Sequence, residues 1–285
     1  MNKINIRSNL SYKARTADFD RYLCALFAKR HIRESLFSLI LFNSEIAKIS
    51  NVVSEPTLGH IRLQWWRDAI EGIYRGDVLA NDIVAPLFAA LKKHNYTKVY
   101  FHQLIDGRAL DLQANKIQTM SNLTDYAEQT SSPLLYLFLE TMRPNKATDN
   151  DAIFKYTREV GISWALTGLI RAWPYHCSEG HIMLPSDLLE NDKMMDSTNS
   201  KAPSENVYKS LVEVGMLANS HLEEAARIKG LVSFKEIKVI RLLAMLCKAY
   251  LDRLSQYRFN PYIVESSIGP LRKQILLSRV AFLGF

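Results

Sequence analysis

The chain has 285 residues, 48% hydrophobic and 23% charged, with a formal net charge of +7. A chain of this size and balance can bury a sizeable core without a disulfide or metal staple. Eleven glycines and nine prolines are too few for a sandwich or barrel of many tight turns, and three cysteines with no CxxC spacing read as buried thiols in a reducing compartment.

The excess positive charge points to an anionic partner: phosphorylated substrate, acidic lipid or nucleic acid. The basic residues are spread along the chain with no basic run or nucleic-acid module, which argues against nucleic acid. The first twenty residues carry positive charge but no apolar core behind it, so no secretory signal is expected. No run of about 18 apolar residues occurs, so no membrane span is expected either.

Residues 1–17 are expected to be flexible. From Asp18 to Ser50 apolar residues recur at helical spacing (Phe19, Leu23, Leu26 and Phe27, then Leu36, Leu39, Ile40 and Ile46), with a break near Lys29-Arg30. Ser54-Glu55-Pro56-Thr57 reads as a stop and restart, followed by a helix over 57–75. Further helices are expected near 80–94, 98–115, 123–141, 150–173, 205–229 and 233–258. A last one covers 269–282, with Pro270 in its first turn. No sustained alternation predicts a strand. Residues 191–206, rich in Asp, Ser, Thr, Asn, Lys and Pro, are the strongest loop candidate. The expected architecture is all-α, one domain over 1–285.

Helix 150–173 carries the most informative pattern. Gly161, Ala165, Gly168 and Ala172 are spaced by four, three and four, which puts four small residues on one stripe. A glycine inside a helix costs about 1 kcal/mol relative to alanine, so close approach is expected there, by a neighbouring helix or by a ligand. Arg171 stands one turn beyond Gly168, and the helix is expected to stop at Trp173-Pro174. Its guanidinium suits bidentate phosphate binding, and equally an ion pair with a buried carboxylate.

The stretches RESLFSLILFNSEIAKISN (33–51), LIDGRALDL (104–112), and GISWALTGLIRAW with EGHIMLPSDLL (161–189) resemble the squalene/phytoene synthase family. The resemblance runs from about residue 20 to 283. EPTLGHIRLQWWRDAI (55–70) and GLIRAWPYH (168–176) look most like a divergent branch that includes bacterial proteins and a mitochondrial respiratory complex I assembly factor. The family implies an isoprenoid-synthase helical bundle around a central cavity. It also implies head-to-head joining of two isoprenoid diphosphates, with Mg²⁺ held by two acidic clusters on facing helices and NADPH where squalene is the product.

Residue by residue, the first cluster, DDxxD, falls on Ala47, Lys48, Ile49, Ser50 and Asn51, and the arginine before it on Ser44. None is a carboxylate, and Lys48 puts a cation where the metal would sit. In the second cluster the arginine matches Arg171, the asparagine falls on Gly168, and the two aspartates fall on Ala172 and His176, with Tyr175 at the intervening acid. Arg33, Gly161 and Ala165 remain as implied substrate contacts, and Asp111 matches an aspartate that the family retains. Asp106 lies five residues earlier, roughly 140° around a helix, a poor joint metal ligand, while Arg108 and Asp111 have the spacing of an ion pair.

Weaker signals are Arg62, Trp65, Trp66 and Arg67, read as a cation–aromatic surface or as core tryptophan with solvated arginines. His176, Cys177 and His181 make a loose zinc-type grouping. The last helix suits either docking on the core or resting on an acidic membrane. Two functions are therefore expected. One is a non-catalytic isoprenoid- or lipid-binding or respiratory-complex assembly protein at a membrane surface. The other is an active isoprenoid transferase making squalene, dehydrosqualene or phytoene. Its place would be cytoplasmic, peripheral at the inner membrane, or in the mitochondrial matrix of a eukaryote.

Overall fold

The computed structural model describes residues 3–113, 117–143, 151–178, 183–189, 204–263 and 267–283, and among them the regular structure is entirely helical. In chain order the helices are α1 (Lys3–Ala17), α2 (Phe19–Ala25), α3 (Arg33–Ala47), α4 (Ile49–Val52), α5 (Pro56–Arg75) and α6 (Val84–Leu91). They continue as α7 (Lys98–Ala109), α8 (Met120–Met142), α9 (Asp151–Ser178), α10 (Glu205–Ile228), α11 (Lys238–Gln256) and α12 (Pro270–Leu283).

The starts and stops follow local chemistry. The Asp18 carboxylate accepts from the Arg21 amide at 2.9 Å and opens α2. Thr119 does the same for α8 through Asn122, and Ser204 for α10 through Val207. Pro56 and Pro270 stand at the first position of their helices, where the missing N–H is no loss. Gly76, at φ 91°, closes α5 in the left-handed conformation that a side chain would oppose.

The buried apolar residues form one continuous cluster. Phe42 of α3 meets Trp66 of α5 and Phe101 of α7 edge-on, at 5.3 and 5.4 Å between ring centroids. Helix α9 runs through the middle, against α8, α10 and α11. Glycines let α8 be approached from two sides: a methyl at Gly107 would stand 3.1 Å from Gln129 and Thr130, and one at Gly161 only 2.5 Å from the Ser132 hydroxyl. Arg158 of α9 binds Glu128 of α8 through two donors and also Glu159, which takes His221 of α10 at 2.6 Å. The three helices are thus tied by charge as well as by packing.

From Lys3 the first seventeen residues form α1, which buries Leu10 and Ala14 beside α3. One expectation is corrected. Helix α9 does not stop at Trp173-Pro174; it continues through Pro174 to Ser178. A proline removes one backbone hydrogen bond and crowds the preceding turn, but buried Trp173 and its neighbours hold the last turn in place. The expected loop over 191–206 lies outside the described residues up to 203; Ser204 is already the cap of α10.

Candidate functional site

The stripe on α9 divides into two. Gly161 is the packed half: Ser132 of α8 sits against it, with its hydroxyl donating to the Arg158 carbonyl at 3.1 Å. Gly168 is the open half, with no neighbouring atom of the described residues within 4 Å of where a Cβ would stand. Ala165, Gly168, Ala172 and His176 are half-buried in a row along a helix that is otherwise mostly covered. The small-residue pattern therefore serves both uses, a helix contact at one end and open space at the other.

Arg171 borders that open half, and it is not free. Its guanidinium lies 3.6 Å from the Asp20 carboxylate and stacks on the Tyr250 ring, 3.5 Å from the centroid. Asp20, on α2, also accepts from the Tyr250 hydroxyl at 2.7 Å and from the Lys273 ammonium at 2.6 Å. One buried carboxylate thus gathers donors from α9, α11 and α12. Burial pushes the Tyr250 hydroxyl well above its ordinary pKa, so it stays a neutral donor to Asp20. Next to this group, Arg21 pairs with Asp18 at 2.7 Å and lies over the Trp164 ring. Cys247 lies 3.4 Å from both the Ser163 and the Thr167 hydroxyls, and burial raises its thiol, so it is an inert packing group rather than a nucleophile. Cys24 is raised likewise, by burial first and then by Asp20 and Asp18.

The other predicted residues lie apart from this cluster. Lys48 caps α3 and pairs with Glu45 at 3.5 Å; Asn51 is exposed on the short α4. The segment that would carry the first acidic cluster is therefore broken between two helices. Arg33 donates to the Ala28 carbonyl at 2.9 Å. Asp106 is held by Arg67 at 2.6 Å. Asp111 pairs with Arg108 at 3.2 Å and accepts from the Tyr126 hydroxyl at 2.7 Å. Trp66 is core while Trp65 is partly exposed, so the Trp-Trp motif straddles the surface.

The residues at the two cluster positions do not fit Mg²⁺. Ala47, Lys48, Asn51, Ala172 and His176 offer no carboxylate oxygen, the ligand that a hard cation requires. Among the described residues no group of three or more His, Cys, Asp or Glu side chains is placed to hold a metal. His181, the third member of the zinc-type grouping, lies outside them. Sequence reasoning missed Asp20, Tyr250 and Lys273. The only signal was Arg171 itself, a cation on an apolar helix that demanded a counter-charge.

A family model described as squalene/phytoene synthase matches residues 14–280. NADH dehydrogenase (ubiquinone) complex I, assembly factor 6 from Bos taurus is 29% identical over 86% of this chain and 73% of its own length. The Homo sapiens protein of the same name is 30% identical over 78% of this chain and 66% of its own length. Among solved structures, a dehydrosqualene synthase in complex with ligand superposes with a TM-score of 0.79, at 14% identity, over 98% of both chains. That likeness establishes the fold as the all-α isoprenoid synthase type. With the match spanning nearly its whole length, the chain belongs to the squalene/phytoene synthase family.

Proposed function

We propose that this protein is a non-catalytic member of its family, an assembly or binding protein that keeps the isoprenoid-synthase scaffold and has given up diphosphate chemistry. The observation that carries the reading is the state of Arg171. The cation that would receive a departing diphosphate is committed to an internal carboxylate, Asp20, which also takes Lys273 and the Tyr250 hydroxyl. Departure of a diphosphate needs its charge neutralised, and here the positions for metal ligands hold Ala47, Lys48, Asn51, Ala172 and His176. The names of its relatives add support for a role in assembling respiratory complex I. The open row beside Gly168 suits a retained isoprenoid or lipid chain, since small side chains leave room and none of the described residues fills it.

That same open row is what favours the second reading, an active transferase joining two farnesyl or geranylgeranyl diphosphates. The test is pyrophosphate release from both diphosphates, with Mg²⁺ or chelator and with or without NADPH, beside an active synthase. No release above background is expected. Metal-dependent release with a squalene-, dehydrosqualene- or phytoene-type product overturns the non-catalytic reading.

A further inference from the structure

The geometry points to α12 as the surface that docks on a membrane carrying anionic lipids. Helix α12 separates its side chains by angle. At about 100° per residue, Leu271, Ile275 and Phe282 fall within about 40° of one another. They are 69%, 52% and 80% exposed. Lys273, Leu277 and Val280 point the opposite way and are buried. Arg272 and Arg279 stand together on one flank of the apolar stripe, both exposed. The helix contains no acidic residue.

The stripe continues into more positive charge. Lys238 lies 5.9 Å from the Phe282 ring and 6.0 Å from the Phe27 ring. Two residues beyond Phe27, Lys29 borders a cleft of about 470 Å³ that is also lined by His31, Lys93 and His94, with no acidic side chain among the described residues of its wall. Burial, and then the charges of Lys93 and His31, hold the His94 imidazole below its ordinary pKa. A phosphate-bearing headgroup is the chemistry that such a cleft takes.

A lipid surface requires an apolar stripe and a cationic rim, and α12 supplies both. A second copy of the chain fits less well, because symmetric pairing through α12 would bring Arg272 and Arg279 of one copy against those of the other. No helix among the described residues is long and apolar enough to cross a membrane, so this contact would be peripheral. The buried Lys273–Asp20 pair holds the inner face down and keeps the apolar stripe facing outward. The inference rests on the assembly-protein reading, but it is tested separately from it.

The experiment is flotation of the full chain with phosphatidylcholine vesicles, with and without phosphatidylglycerol. Binding is expected to the anionic vesicles, to weaken with salt, and to fall tenfold or more in Ile275→Glu/Phe282→Glu, a drop of roughly that size following from lost apolar burial. Arg272→Glu/Arg279→Glu should remove the salt-sensitive part, and Ile61→Glu, an exposed apolar change on α5, should leave binding intact. All these positions are exposed, so melting temperatures should not move. No flotation of the wild type, flotation indifferent to the α12 changes, or an α12 variant that only converts a dimer to a monomer would each overturn the proposal. A protein that floats yet releases pyrophosphate overturns the non-catalytic reading and leaves α12 standing; one that does neither overturns only α12.

Discussion

Take away the charge of Asp20 and two cations, Lys273 and Arg171, are left in a buried site with no carboxylate between them. Asp20→Asn should therefore cost about 3–5 kcal/mol, the usual penalty for orphaning a buried charge. Urea denaturation would read it. Adding Lys273→Met to the same chain should recover a good part of the loss, since the stranded ammonium goes with it; strict additivity of the two changes would refute the pairing. Glu140 poses the opposite case. Burial raises its carboxyl above the ordinary value, against hydrogen bonds from Thr97 that act the other way. The native state then holds that proton more tightly than the unfolded chain does. Its contribution to stability is full below the ordinary carboxylate pKa and is lost as pH rises through the raised folded value. Glu140→Gln can keep both Thr97 bonds and has nothing to titrate. Wild type should thus lose stability relative to the variant as pH climbs from the ordinary carboxylate range, and parallel curves would exclude the effect. Of the Asp20 cluster the sequence displayed one member. An arginine among apolar residues requires a counter-charge, but nothing local says that the partner sits on α2.

Along α9 the spacing of Gly161, Ala165, Gly168 and Ala172 was legible as a small-residue stripe, because helical periodicity is a local property. Which half packs and which half stays open depends on where α8 lies, and that is not. The distinction makes a prediction. Gly161→Ala would press a methyl to within 2.8 Å of the Ser132 Cα, backbone that cannot turn aside, and should destabilise by about 1–3 kcal/mol. Gly168→Ala meets nothing and should stabilise by about 1 kcal/mol through helix propensity alone. Thermal melts of the two variants should move in opposite directions; a shared direction would dissolve the division of the stripe. Pro174 was read by the local rule that a proline ends a helix. Tertiary packing around buried Trp173 overrides that rule here, as it often overrides propensity.

At the scale of the whole molecule, the all-helical class and most helix positions followed from periodicity and from the punctuation at Pro56 and Pro270. The first seventeen residues did not, since their polar composition hides the contact that Leu10 and Ala14 make. With no carboxylate at the positions for metal ligands, Mg²⁺ should neither raise the melting temperature nor, on chelation, lower it; a rise that grows with Mg²⁺ concentration would show a native-state site after all. The Asp20–Lys273 pair spans 253 positions of the chain, a contact of very high sequence separation. Such a pair forms late, because the intervening helices must collapse before its ends can meet. A nascent chain that has made α2 through α11 still has its central carboxylate without Lys273 and the flank of α11 uncovered by α12. Synthesis and folding are thereby coupled: this part of the interior is completed only when α12 has left the ribosome. A chain halted before α12 would expose an apolar surface to the proteases that clear unfinished proteins.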